Sequence, residues 1–125
     1  MGLRLIIVED NFLMREMIKG LLEILGHQVV AEAEDLAGTL AAYEQHKPDA
    51  LTIDLSLPNE DGLTILRTLR VKYPGVRAII VSGNSQARMR EEVLKAGAID
   101  LLPKPVEMDT LRACLGKVFP NANNP

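Results

Sequence analysis

The stretch Ala50-Leu51-Thr52-Ile53-Asp54-Leu55-Ser56-Leu57-Pro58-Asn59-Glu60-Asp61-Gly62 decides how this chain is to be read. It opens as a short, mostly apolar run of the kind that forms a strand buried on both faces. A single carboxylate, Asp54, follows, and the chain then turns through Pro58 and the Asp61-Gly62 pair. An ionised aspartate at the end of a buried strand is costly unless pairing, hydrogen bonds or a metal compensates it. Three candidate compensators stand elsewhere in the sequence: the acids Glu9 and Asp10, the hydroxyl of Ser82 and the ammonium of Lys104.

Working outward from that strand, the chain alternates strand and helix. Leu3 to Val8 reads as a buried strand stopped by Glu9-Asp10-Asn11. Met14, Met17, Ile18, Leu21, Leu22 and Leu25 then recur at the helical spacing of three and four, ending at Gly26. This Met-rich helix is expected to pack into the core rather than present a binding face. Gln28 to Ala33 forms a weaker strand, and Leu36 to His46 a helix that Lys47-Pro48 terminates. After the strand Ala50 to Leu55, Leu63, Ile65, Leu66 and Leu69 mark a third helix, which gives out at Tyr73-Pro74-Gly75. Arg77 to Val81 is a fourth strand. The helix over Gln86 to Ala96 has the poorest apolar stripe and is rich in Arg and Glu. Ile99 to Leu102 is a short fifth strand leading into Pro103-Lys104-Pro105. Met108, Leu111, Leu115 and Val118 carry the last helix, and residues 120–125 read as a frayed tail.

Composition narrows the class. A chain of 125 residues fits one domain with a core that needs no staples. Its net charge of -3 gives no electrostatic reason to expect direct binding to nucleic acid or an anionic membrane. The lone Cys114 cannot form an internal disulfide, and its helical setting suits buried filler in a reducing cytoplasm. No apolar run approaches membrane-spanning length, and no signal-peptide h-region precedes the first strand, so the expected location is cytoplasmic.

Five strands alternating with five helices argue for a parallel sheet covered on both faces. In such sheets functional groups gather beyond the carboxyl ends of the strands, where strand order reverses. Glu9, Asp10, Asp54, Ser82 and Lys104 all fall at or just after strand ends, so they should meet in one crevice. Three carboxylates brought together repel one another, and one is forced neutral unless a cation joins them. A hard divalent ion such as Mg²⁺ answers this, since it takes oxygen ligands and keeps waters for a phosphate. Asp54 could then remain ionised and act as a nucleophile toward phosphorus. Lys104 supplies a point charge, Ser82 a hydroxyl, and Gly83 a backbone N–H open to close approach.

From about residue 3 to 118 the sequence resembles the receiver domain of two-component response regulators, a family related to chemotaxis signalling proteins. The resemblance rests on Val8-Glu9-Asp10, on Asp54 followed by Pro58 and Asp61-Gly62, on Ser82-Gly83, and on Ala96-Gly97-Ala98 leading to Leu102-Pro103-Lys104-Pro105. It implies a flavodoxin-like, doubly wound (βα)5 sandwich, an α/β fold with sheet order 2-1-3-4-5, spanning residues 1–119. It further implies Asp54 as phosphoacceptor, Asp10 as a direct Mg²⁺ ligand, Glu9 as a ligand through water, and the Ser56 carbonyl as a third protein ligand. Ser82 resembles the switch hydroxyl and Lys104 the lysine that meets the phosphoryl group across a cis Lys104-Pro105 bond. The implied partners are a sensor histidine kinase or phosphotransfer protein, and an effector or second copy on the face of helix 4, strand 5 and helix 5. The family is a signalling switch, not an enzyme acting on other substrates.

The sequence departs from the family at Leu101, where a Tyr or Phe is usual. Output would then run through the Ser82–Asn84 loop, and a phospho-independent adaptor is the alternative reading. An aspartyl-phosphate phosphatase is disfavoured, because Ser56 stands where such enzymes place a second Asp. A flavodoxin-type FMN site is disfavoured too, because Glu9-Asp10-Asn11 would repel a phosphate. Taken singly, the motifs have plainer readings: Glu9-Asp10 as a helix-start acid pair, Ser82 as a loop hydroxyl, Lys104 as a surface cation, and Asp61-Gly62 as a turn. Tyr43 and Tyr73 read as surface or rim residues, and His27 and His46 suggest no transition-metal site. No effector segment follows the last helix, which leaves a free-standing receiver or a piece of a larger regulator.

Overall fold

Five parallel strands form one sheet in the order β2-β1-β3-β4-β5. The computed structural model describes residues 2–119, so the expected tail, 120–125, lies outside the described residues. The strands are β1 (Arg4–Val8), β2 (Gln28–Ala33), β3 (Ala50–Asp54), β4 (Ala78–Ser82) and β5 (Asp100–Pro103). The helices are α1 (Phe12–Ile24), α2 (Leu36–His46), α3 (Gly62–Lys72), α4 (Ala87–Lys95) and α5 (Met108–Leu115). The expected flavodoxin-like α/β architecture is therefore the observed one. Because β1 lies between β2 and β3, the order reverses there and opens a crevice beyond their carboxyl ends.

Strand alternation divides the core into two layers. Ile6, Val8, Leu51, Ile53, Ala78, Ile80 and Leu101 face one side, against Leu63, Leu66 and Leu69 of α3 and Val93 of α4. Leu5, Ile7, Ala50, Ile79, Val81 and Leu102 face the other, against Ile18 and Leu22 of α1 and Leu111 and Leu115 of α5. Both faces of β3 and β4 are buried throughout, which accounts for their unbroken apolar character. Each large side chain so buried contributes roughly 1.5–3 kcal/mol.

Helix ends follow local chemistry. Asn11, Asp35 and Asp61 each cap the following helix through the side chain, accepting from the N–H of Met14, Gly38 and Leu63. Lys47, at φ 45°, ends α2 in the left-handed region ahead of Pro48. Gly26 and Gly97 end α1 and α4 with φ of 90° and 101°.

Two expectations change. Met14 packs against the core, but Met17 is 40% exposed and lies with Leu13, 76%, and Ile24, 71%, on an outward stripe of α1. The helix is too apolar for one buried face, so the methionines divide between core and surface. Ser82 closes β4 instead of opening a loop, one residue beyond the expected strand, because it continues the pairing with Pro103 of β5. Tyr43 and Tyr73 stack with ring centroids 4.3 Å apart, joining α2 to the end of α3. Cys114 is buried, and its thiol is pushed up to about 12 by burial and by the neighbouring Asp100 carboxylate, so it is inert filler as expected.

The Thr52 hydroxyl is buried with no hydrogen-bond partner, and Thr52 lies in register between Ile7 and Ile79. Replacing it with an isosteric apolar group removes the unmet polar atom. Thr52→Val should therefore raise stability by about 1 kcal/mol, read as a higher urea midpoint at unchanged slope.

Candidate functional site

Glu9 and Asp10 lie just beyond β1, and Asp54 is the last residue of β3. Their carboxylate oxygens lie within 4.8 Å of one another. The sheet imposes this closeness: Val8 pairs with Ile53, so the acids that follow project from adjacent strand ends. Glu9 is 2% exposed and Asp54 4% exposed, while Asp10 is half-buried. The Lys104 ammonium reaches into the same crevice, 3.2 Å from Asp54 Oδ1 and 3.7 Å from Glu9 Oε1. The Lys104-Pro105 bond is cis, as the resemblance implied.

Asp54 is held through one oxygen. Its Oδ1 accepts from the Ser56 N–H at 3.2 Å and from Lys104 Nζ at 3.2 Å, and Oδ2 receives neither bond. Ser56 itself is exposed and forms an isolated bridge with Asp61, which shapes the turn after β3. Ser82 is 3% exposed, and its hydroxyl accepts from the Asn84 N–H at 3.0 Å. Its carbonyl accepts from the Lys104 N–H at 2.9 Å, joining the hydroxyl-bearing strand to the lysine-bearing turn. Gly83 is exposed, and a Cβ placed there would meet nothing within 4 Å, so packing does not require its bare backbone. All the expected site residues thus come from the carboxyl ends of β1, β3, β4 and β5.

The acids carry an electrostatic conflict. The Glu9 carboxyl is raised to about 7, first by burial and also by the Asp54 charge, against the lowering effects of the Asn11 N–H and Lys104. Its Oε2 accepts from the Asn11 N–H at 3.1 Å, but Oε1 is buried with no hydrogen-bond partner. Oxygen donors alone, three carboxylates converging on one point and one orphaned oxygen among them, form a set that fits a hard divalent cation. Glu9, Asp10 and Asp54 are the side chains able to hold it.

Several contributors were not legible in the sequence. Arg15 of α1 donates from Nη1 to the Glu9 carbonyl at 2.9 Å and from Nε to Glu32 Oε1 at 3.0 Å, bracing the acidic turn against β2. Only the pairing of β1 with β2 brings Glu32 to Arg15, so spacing carried no signal for that contact. Gly62 is more than a turn residue: a Cβ there would collide with the Asp54 carbonyl and lie 2.9 Å from Leu55 Cα. The start of α3 can press against the Asp54 carbonyl only because Gly62 has no side chain. The Glu60 carboxylate accepts from the Leu36 N–H, tying the turn after β3 to the start of α2.

With this geometry established, the chain belongs to the response regulator receiver domains, whose family description matches residues 5–116. Among individual proteins it is similar to the chemotaxis protein CheY of Bacillus subtilis, 37% identical over 119 residues, covering 95% of this chain and 99% of that protein. CheY of Thermotoga maritima is 32% identical over 118 residues, covering 94% and 98%. The transcriptional regulatory protein PhoP of Escherichia coli K12 is 34% identical over 89% of this chain, which spans 49% of PhoP. Among solved structures, the CheX–CheY–BeF3–Mg²⁺ complex of Borrelia burgdorferi aligns with a TM-score of 0.86 at 22% identity, over 93% of this chain and 88% of that one, a likeness of fold. A LuxR-family response regulator from Aurantimonas aligns with a TM-score of 0.89 at 25% identity, over 97% and 87%.

The Glu9 shift has a measurable sign. Its folded value, about 7, lies above its ordinary 4.5, so its contribution to stability is complete at low pH and is lost as pH rises through about 7. Metal-free protein should show a lower Tm at about pH 8 than at about pH 5, and Glu9→Gln should flatten that difference. Equal slopes for the two proteins in chelator would contradict the assignment.

Proposed function

We propose that this chain is a phosphoryl-accepting signalling switch in which Asp54 takes the phosphoryl group from a phosphohistidine on a sensor histidine kinase or phosphotransfer protein. The observation that carries this reading is the orphaned Glu9 Oε1 inside a three-carboxylate cluster, with Lys104 Nζ 3.2 Å from Asp54. Mg²⁺ would be held by Asp10 and Asp54 directly, by Glu9 through water and by the Ser56 carbonyl. When bound, it supplies positive charge for the transferring phosphoryl oxygens. An Asp54 oxygen forms the O–P bond while the P–N bond breaks, and that electron pair leaves with the imidazole nitrogen. Lys104 neutralises charge on the phosphoryl oxygens, and the Ser82 hydroxyl and Gly83 N–H donate to them. The chain acts on no other substrate; its chemistry is its own phosphorylation and dephosphorylation.

The α1 stripe of Leu13, Met17 and Ile24, with Phe12 62% exposed beside it, starts one turn from the acidic crevice. A phosphodonor protein docking over this stripe would bring its histidine to Asp54 while covering apolar surface. Output to an effector or a second copy runs through the face of α4, β5 and α5. The expected setting is the cytoplasm: among the described residues no helix is long and apolar enough to cross a membrane, and the Cys114 thiol is free. Leu101 is buried, 3% exposed, and cannot swing as an aromatic ring would, which is the observation favouring a phospho-independent adaptor as the second reading.

Acetyl phosphate with Mg²⁺ should add one phosphoryl group to the wild-type chain and none to Asp54→Asn, read by intact mass. No adduct on wild type, or an equal adduct on the variant, would overturn the switch in favour of the adaptor. Asp10→Asn should weaken Mg²⁺ binding by tenfold or more, on the order of what metal-site substitutions cost; unchanged affinity in a titration would remove the metal assignment.

A further inference from the structure

Among the described residues three carboxylates are at least nineteen-twentieths buried: Glu9, Asp54 and Asp100. The first two belong to the crevice. Asp100 does not. It opens β5, whose length puts it about 10 Å from the crevice end of that strand. Its side chain is saturated by groups from three elements. Arg90 Nη2 of α4 lies 2.6 Å from Oδ1, and Lys117 Nζ, just past α5, lies 2.6 Å from Oδ2. The Leu101 N–H donates to Oδ1 at 2.8 Å, and the Cys114 thiol lies 3.4 Å from Oδ2. Burial opposes the charge, but Lys117, the Leu101 N–H and Cys114 together leave the carboxyl below its ordinary value.

The helix on the Arg90 side is thinly anchored by anything else. Among its residues only Val93 is fully buried, Met89 is half-buried, and Gln86 supplies no side-chain cap at its start. The same helix follows Ser82 after a short loop, so a displacement at the Ser82 hydroxyl is taken up first by α4. A shift of α4 would withdraw Arg90 and leave Oδ1 of a buried carboxylate short of its cation. Such a loss is abrupt, since the pair is either made or broken. Leu101, the neighbouring residue, packs in the apolar layer and offers no polar group to carry the same signal.

We propose that Asp100, gripped by Arg90 and Lys117, is a positioning residue that fixes α4 against β5 and α5, and that release of Arg90 is the step by which a change at Ser82 alters this face. The first half stands on geometry alone, and the second rests on the proposed phosphoryl switch.

Hydrogen–deuterium exchange of the intact chain, followed by mass spectrometry, tests both halves. Asp100→Asn and Arg90→Gln should each speed exchange across α4 by about tenfold through easier local opening, leaving β1 and β3 unchanged, and Arg90→Lys should restore most of the protection. Arg90 is half-exposed, so Arg90→Gln keeps the core intact should Asp100→Asn fail to fold. Wild-type α4 exchange in Arg90→Gln would overturn the clamp. With beryllofluoride and Mg²⁺, wild-type α4 should move toward the Arg90→Gln rate, and Arg90→Gln should respond little further. An equal response in both, or none in a wild type shown by fluorine NMR to bind the ligand, would overturn the coupling. A wild type that binds no beryllofluoride overturns the phosphoryl switch and the coupling with it, while the exchange of the unliganded variants still decides the clamp.

Discussion

Mutual repulsion among Glu9, Asp10 and Asp54 is the constraint on which the rest of the molecule depends. Their oxygens converge within 4.8 Å because β1 and β3 pair in parallel and end at the same level. A cluster of this kind would splay apart in a flexible loop. Here the strands behind it are buried on both faces, and backbone pairing with β2 and β4 prevents relaxation. Lys104 offsets part of the charge, and burial, with the Asp54 charge adding to it, leaves Glu9 with a raised affinity for a proton. The sheet holds unfavourable charge in place, and a cation or a phosphoryl group can exploit that arrangement.

The helices around this sheet differ in how firmly they are bound, and the difference tracks what they follow. Helix α3 buries Leu63, Ile65, Leu66 and Leu69 and begins against the Asp54 carbonyl through Gly62, so it stays with the aspartate. Helix α4 follows Ser82 and buries Val93 alone. A disturbance in the crevice therefore meets a rigid element on the Asp54 side and a loosely anchored one on the Ser82 side. Asp100 sits where that loose element meets β5 and α5. Among the described residues the three buried carboxylates thus divide between the two ends of the sheet: Glu9 and Asp54 in the acidic crevice, Asp100 where α4 meets β5 and α5.

The family match over residues 5–116 spans every member of the crevice and Asp100 as well. Leu101 is buried beside Asp100, and its side chain carries neither a ring nor a polar group. A polar bridge between helices can carry a conformational signal, because a buried charge is sensitive to the loss of one partner.

The sequence by itself determined the order of elements, the parallel sheet and the five chemical groups of the crevice. Alternating apolar strands and three-four spaced helices admit few topologies, and the acids, hydroxyl and lysine all fall at strand ends. Only the tertiary structure decided the remainder. Arg15 meets Glu32 because β2 lies beside β1, Gly62 is needed because α3 abuts the Asp54 carbonyl, and Met17 faces outward because α1 has more apolar residues than its buried face can take. Asp100 reads in sequence as one polar residue in a short strand. Its surroundings depend on Arg90 and Lys117, ten residues before it and seventeen after it, arriving from α4 and from the turn after α5. Periodicity reports which face of an element is apolar. Which charged groups from distant elements share one buried carboxylate is fixed only when the elements pack.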